Sequence, residues 1–150
     1  MAQVLGLDAK LWYAAPTSGG TAGTYAELTN VRNVTLSLET AEADVTVRAN
    51  NGWRATTPTL KDASLEFEMI YDTSDAGFTA VRTAFFDGTD LWMKVLDGAG
   101  TAPITHDEGN GLVAKMRITQ FSLNQSLEEA VTVSVSAKPT YGSAPTWQGT

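Results

Sequence analysis

The residues best equipped for chemistry are few. The chain holds one histidine, His106, in a loop between Thr105 and the carboxylates Asp107 and Glu108. A metal centre there would draw on His106, Asp107 and Glu108. Adjacent side chains rarely aim at one ion, and no second histidine or cysteine completes a zinc-type ligand set. A Ser–His–Asp hydrolase needs its nucleophile on a shaped turn, and there is no G-x-S-x-G. Glu66 and Glu68 stand two apart on a strand pattern, so both point to one face. Paired carboxylates hydrolyse glycosides when they flank the bond. On a sheet face they pair more simply with cations across the strand, and Lys94, Lys115 and Arg117 are the expected partners. The sequence therefore predicts no catalytic residues, no metal site, no cofactor and no enzyme.

Aromatic residues offer recognition rather than catalysis. Trp12, Trp53, Trp92 and Trp147 would suit a sugar-stacking platform if they converged. Trp12 and Trp92 lie in strand patterns and read as core or interface residues. Trp53 stands apart between Gly52 and Arg54. Trp and Arg dominate interface anchors, so this pair is the best hot-spot candidate. The glycine-rich run Thr17–Thr24 is read as a solvated loop. A phosphate cradle would need a following lysine and an opening helix, and neither is present.

Trp53 belongs to the stretch around which the chain is organised, Val34 to Tyr71. Val34, Leu36 and Leu38 alternate with Thr35, Ser37 and Glu39, the period-two pattern of a strand with one buried face. Leu65, Phe67, Met69 and Tyr71 repeat it. Between them, Thr40 to Leu60 is too long for a structureless loop, which rarely exceeds ~12–15 residues in a compact domain. Its spaced apolar residues Val45, Val47, Trp53 and Leu60 argue against disorder, and Asp44, Arg48 and Arg54 are charges that could pair. An extended arm or long hairpin over about 40–61, ordered against another copy, is the expectation.

The flanking elements support that stretch. Leu11–Ala15 reads as a short strand stopped by Pro16. Phe78, Val81 and Phe85 recur at helical spacing, with Ser74 or Asp75 as N-cap and Gly88 as terminator, giving one helix over about 75–86. Leu91, Met93 and Val95 mark another strand. Leu112 to about Asn124 is a long strand in which Met116 and Ile118 oppose Phe121 and Leu123 in parity. A bulge near Thr119 or Gln120 would return both pairs to the core. Val131 to Ala137 alternates again, and residues 139–150 are expected to be loosely held. The chain is read as one domain over 1–150, mainly β, an antiparallel sandwich or barrel with one short helix.

Bulk numbers set further limits. A chain of 150 residues is long enough for a core, and its net charge is −7. No Lys/Arg run offers a basic stripe, so tight nucleic-acid binding by phosphate neutralisation is not expected. Absence of cysteine removes disulfides and thiolate metal sites. The start lacks the pattern of a signal peptide, and no apolar run approaches the ~18 residues of a membrane helix. Membrane insertion by this chain is not expected.

Glu42-Ala-Asp-Val-Thr-Val-Arg48, then Asn51-Gly-Trp-Arg54, then a strand and Tyr71-Asp72, resembles the tail-tube (major tail) proteins of long-tailed bacteriophages and phage-derived particles. The resemblance spans roughly Leu11 to Lys138. It implies a β-sandwich or barrel with one helix, stacked as six-fold rings around a DNA channel. It implies self-assembly, a tape-measure protein, a tail terminator, and tip or baseplate proteins as partners. DNA would pass without tight binding. It implies a place in the virion tail, reached from the host cytoplasm. Some members add an immunoglobulin-like domain, for which this chain has no room.

Two groups of site residues follow as expectations. The arm's inter-subunit contacts would come from Glu42, Asp44, Val45, Val47, Arg48, Trp53 and Arg54. The channel wall would come from Thr35, Ser37 and Glu39 with Thr132, Ser134 and Ser136, or else from the Glu66–Glu68 face. A carbohydrate- or surface-binding β-sandwich module of a phage particle is the alternative function.

Overall fold

The computed structural model of the chain describes residues 3, 5–100 and 103–149. Alternating sequence builds eight strands: β1 (Lys10–Ala14), β2 (Ala26–Glu27), β3 (Val31–Asp44), β4 (Thr56–Ile70), β5 (Asp90–Leu96), β6 (Gly111–Asn124), β7 (Thr132–Pro139) and β8 (Thr146–Gln148). One helix, α1 (Ala76–Asp87), separates β4 from β5. The strands run antiparallel in the order β2-β1-β5-β6-β7-β4-β3, with β8 on β6. The sheet is not closed, and its two halves fold toward each other like a sandwich.

β6 makes the turn between the halves. Its first part pairs with β5 through Leu112↔Val95 and Met116↔Leu91, and its second with β7 through Phe121↔Val135 and Leu123↔Val133. The register slips between Ile118 and Gln120, where the parity conflict placed a bulge. The extra residue brings Met116, Ile118 and Phe121 toward the core and bends the strand, but Leu123, expected there with Phe121, stays 44% exposed because α1 and the core end before it.

The core is what the alternation selects on β4 to β7, whereas Val34 and Leu38 of the edge strand β3, and Tyr71 beyond the end of β4, were expected on a buried face and stand exposed. Leu65, Phe67 and Met69 of β4 meet Ala137, Val135 and Val133 of β7, all buried. Met93, Ala114 and Met116 close the opposite half. α1 lies over β6 and β5 and buries Phe78, Val81 and Ala84. Its ends are set by local chemistry. The Asp75 carboxylate accepts the Phe78 amide at 2.9 Å, and Gly88, at φ 66°, turns the chain left-handed so that its amide reaches the Ala84 carbonyl. Gly77 lets the first turn press on Leu28, since a Cβ there would stand 2.4 Å from a Leu28 methyl.

Residues 139–150, expected to be loosely held, carry β8, which pairs with Gly111–Val113 of β6. The strand was too short to leave a period in the sequence.

Candidate assembly surface

The stretch Thr40–Leu60 is a hairpin that outgrows the sheet. β3 and β4 pair from Val34↔Phe67 outward to Asp44↔Thr56, with a second register slip between Thr40 and Glu42. β7 accompanies β4 only as far as Leu65. The outer seven residues of β4, Thr56–Asp62, are all exposed and project roughly 20 Å at ~3.3 Å per residue.

The hairpin end is built by short-range hydrogen bonds. The Asp44 carboxylate accepts the Thr46 amide at 2.9 Å. Hydrogen bonds from Thr46 hold the Asp44 carboxyl below the ordinary carboxylate range. Ala55 donates its amide to the Thr46 hydroxyl, and Val45 donates to the Ala55 carbonyl, each at 2.9 Å. A single 3-10 turn, Arg48–Asn50, then runs into Asn51 and Gly52, both left-handed at φ 53° and 83°. Asn tolerates that conformation and Gly adopts it freely. This turn presents Trp53 with 79% of its surface exposed; Val45 and Val47 near the same end, and Leu60 further down β4, are exposed as well.

All seven residues expected in the arm surface, Glu42, Asp44, Val45, Val47, Arg48, Trp53 and Arg54, therefore sit on one protruding ribbon. The charges do not pair among themselves as their proximity in sequence suggested. Asp44 is committed to Thr46, and among the described residues no ion pair within the chain involves Glu42, Asp44, Arg48 or Arg54.

The two expected wall surfaces prove to be a single face. Directly opposed residues share a face, and the register runs Thr35↔Glu66↔Ser136↔Gln120 across four strands. Glu68 opposes Ser134, Ile70 opposes Thr132, Ser37 opposes Ser64, and Glu39 opposes Asp62. Thr35, Ser37, Glu39, Thr132, Ser134 and Ser136 thus lie with Glu66 and Glu68. A shallow groove of about 320 Å³ runs along this face, lined among others by Thr35, Glu66, Gln120 and Ser136.

The cations expected opposite Glu66 and Glu68 lie elsewhere. Lys115 and Arg117 face Asp90, at 3.7 and 2.9 Å. Glu68 instead meets Arg32 at 3.8 Å. Lys94 is buried beneath the loop that carries His106. Its ammonium donates to the His106 carbonyl at 2.9 Å and to Gln148 Oε1 at 2.8 Å, and lies 4.6 Å from the Tyr25 ring centre. Gln148 donates in turn to the His106 and Glu108 carbonyls. Burial, followed by the nearby Asp107 charge, raises the Tyr25 hydroxyl pKa. His106 thus sits beside an ammonium, which is a poor setting for a cation site. Among the described residues no group of three His, Cys, Asp or Glu could hold a metal ion.

The tryptophans do not form one platform. Trp12 is buried opposite Lys94, and Trp92 donates its indole N–H to the Gly20 carbonyl at 3.3 Å. Trp147 lines a cleft of about 770 Å³ at the arm's base, with Leu38, Ala63 and Leu112, while Trp53 is at the arm's far end. The Lys94–Gln148 centre escaped the sequence reading because its parts come from four distant segments without a shared motif.

Known structures share this architecture. A subunit from the tail of an empty GTA particle, refined with C6 helical symmetry, superposes with a TM-score of 0.74 at 19% identity, covering 99% of this chain and 100% of that one. The SPP1 tail tube gives 0.76 at 17% identity, covering 99% of this chain and 80% of that one. A subunit of the native GTA virion gives 0.72 at 16% identity, covering 99% and 100%. None of the curated protein sequences compared with it matches the chain. The profile described as "Phage tail tube protein" matches residues 14–140, and the chain belongs to that family.

Proposed function

We propose that this chain is the repeating subunit of a tail tube, closing into six-fold rings that stack around a bore through which DNA passes to the host. The observation that carries the reading is the arm. A tryptophan held 79% exposed on a hydrogen-bonded turn, beyond reach of its own core, is arranged for another molecule.

Family membership and the C6 symmetry of the GTA tail support the same reading. So do the open sheet edges. Among the described residues no strand pairs with the outer edge of β3 along its fourteen residues, or with one side of β6 from Ile118 to Asn124, beyond its last partner in β5. Unpaired edges invite pairing with another chain. Two unlike edges on one subunit give head-to-tail contacts, which close into a ring when the rotation allows.

The arm residues from Glu42 to Arg54 contact neighbouring subunits in this reading, and the Thr35–Ser136 face lines the bore. Tape-measure, terminator and tip or baseplate proteins are the further partners. The subunit performs no catalysis, and it moves from host cytoplasm into the virion tail. The dispersal of the four tryptophans leaves the carbohydrate-binding alternative without a platform. Negative-stain microscopy of the purified protein at high concentration tests the reading. Rings or tubes are expected; uniform monomers that bind a glycan array would overturn it.

A further inference from the structure

The chain has two Asn–Gly pairs, Asn51–Gly52 and Asn110–Gly111, and the fold treats them oppositely. An asparagine followed by glycine can lose its side-chain amide without an enzyme, because glycine has no side chain to keep its backbone nitrogen from the carboxamide carbon. Closing that ring needs a free carboxamide and a backbone that can turn. Asn110 has neither. Its carboxamide donates to Asp97 Oδ2 at 3.2 Å, its amide donates to Asp97 Oδ1 at 3.0 Å, and its carbonyl accepts the Asp97 amide at 3.0 Å. Gly111 is buried in β6, paired with Leu96 on one side and Gln148 on the other. Asn51 lacks all of these restraints. Asn51 and Gly52 are exposed, and among the described residues the Asn51 carboxamide and the Gly52 amide make no hydrogen bond. A Cβ added at Gly52 would meet nothing within 4 Å. The pair ends a two-stranded ribbon without a hydrophobic face, which is marginal in water and opens readily.

We infer that Asn51 is a site of spontaneous deamidation and isoaspartate formation in the free subunit, with water as the co-reactant. The Gly52 nitrogen forms a bond to Asn51 Cγ, the Cγ–Nδ2 bond breaks, and the Gly52 amide proton passes to Nδ2, which departs as ammonia. No atom is oxidised or reduced. Water then opens the cyclic imide. Opening at Cγ leaves aspartate. Opening at the main-chain carbonyl leaves isoaspartate, whose backbone runs through Cγ and is a methylene longer. Either product adds a carboxylate to a turn that carries Arg48 and Arg54, with Asp44 as the acid already at that end. Isoaspartate does more. The Trp53 amide donates to the Asn50 carbonyl at 3.0 Å, closing the turn across Asn51 and Gly52. A longer backbone inside that closure re-aims Trp53. The chemistry needs only the hairpin, whereas its consequence rests on the tube reading. Subunits that wait unassembled lose competence to assemble, and packing of the ribbon against a neighbour halts the loss.

Peptide mapping of the full chain tests the site. Trypsin cutting after Arg48 and Arg54 releases Ala49–Arg54, and cutting after Lys94 and Lys115 releases the peptide that holds Asn110. Dilute protein is held at mildly alkaline pH and digested at intervals. Fragmentation separates Asn51 from Asn50, and labelling with isoaspartyl methyltransferase detects isoaspartate. Conversion at Asn51 should outrun that at Asn110 at least about tenfold, because a fraying ribbon opens far more often than a buried strand. Tubes aged in parallel should keep Asn51 intact. Aged wild-type protein should need a severalfold higher concentration than fresh protein for pelletable assembly. Asn51→Gly keeps the left-handed turn without the carboxamide, so its aged and fresh samples should assemble alike. Equal conversion at the two asparagines, or none at Asn51, overturns the site. Conversion as fast in tubes as in monomer, or full conversion with assembly unchanged, overturns its link to assembly. Fresh protein that forms neither rings nor tubes overturns the tube reading, while the digest still decides the site.

Discussion

Trp53 and Lys94 show two opposite uses of an expensive side chain. Trp53 lies outside every apolar cluster of its own subunit, so Trp53→Ala removes nothing from the core. Its melting curve should match wild type. Truncating an interface tryptophan commonly costs about 2 kcal/mol or more, so tube formation should need a much higher protein concentration. A variant that unfolds early as a monomer would place Trp53 in the domain's own stability instead. Lys94 is 6% exposed and its ammonium is held by two neutral oxygens and the Tyr25 ring, and among the described residues the exposed Asp107 carboxylate at 3.7 Å is its one counter-charge. Removing one acceptor hurts more than removing the charge. Gln148→Ala should cost ~1–3 kcal/mol, because the ammonium stays buried with one partner fewer. Lys94→Met, which removes the charge and keeps the length, should cost less. Urea unfolding of the two variants checks the order, and the reverse order would mean that the ammonium's own contacts to the His106 carbonyl, Gln148 and the Tyr25 ring outweigh the cost of burying it. Neither the Lys94 centre nor the Arg32–Glu68 pair was legible in the sequence, since both depend on which strands become neighbours.

Elements were legible where one face is buried. α1 announced itself through Phe78, Val81 and Phe85 and its two end signals, Asp75 and Gly88. The β6 bulge was written in the parity of Met116 against Phe121. Outer β3 and β4 left no such signal, because Thr40–Asp44 and Thr56–Asp62 are exposed on both faces apart from the half-buried Ala43. Length and sparse apolar residues marked the stretch as an extended arm or a long hairpin, and the ladder out to Asp44↔Thr56 makes it a hairpin. That ladder now sharpens the expectation for its dynamics. A two-stranded ribbon without a hydrophobic face is marginal in water, so amides of Ala43–Leu60 should exchange fast in dilute monomer and slowly in tubes. Equal, strong protection in both states would show that the ribbon is stable by itself and that assembly does not order it. β2 and β8 span two and three residues, too short for any period to show.

For the whole molecule, the open question is what the long polar face does. A tube must pass a polyanion without gripping it, since a wall of unpaired Lys and Arg would release counterions and bind DNA. The register collects Glu39, Asp62, Glu66 and Glu68 on this face, among Thr35, Ser37, Ser134 and Ser136. Its bases are few and attended. Arg32 meets Glu68 at 3.8 Å, Lys138 meets Asp62 at 3.9 Å, and Arg117 is held by Asp90 at 2.9 Å. Four carboxylates and Asp90 against Arg32, Lys138, Arg117 and Lys115, the last also on Asp90 at 3.7 Å, leave one negative charge on the face of each subunit. Repeated around the proposed ring, that surplus would repel phosphate at the range of the screening length, ~8 Å at physiological salt. Hydroxyls between the charges keep the surface wet. If this face lines the bore, Glu66→Lys with Glu68→Lys should leave the fold intact, because Glu66 is exposed and Glu68 partly so. The reversed wall should then retain DNA. Tubes of the variant should co-sediment with short duplex DNA at low salt and release it as salt rises, while wild-type tubes leave the DNA in solution. Variant tubes that ignore DNA would turn this face away from the bore and reduce the chain's acidity to a matter of solubility.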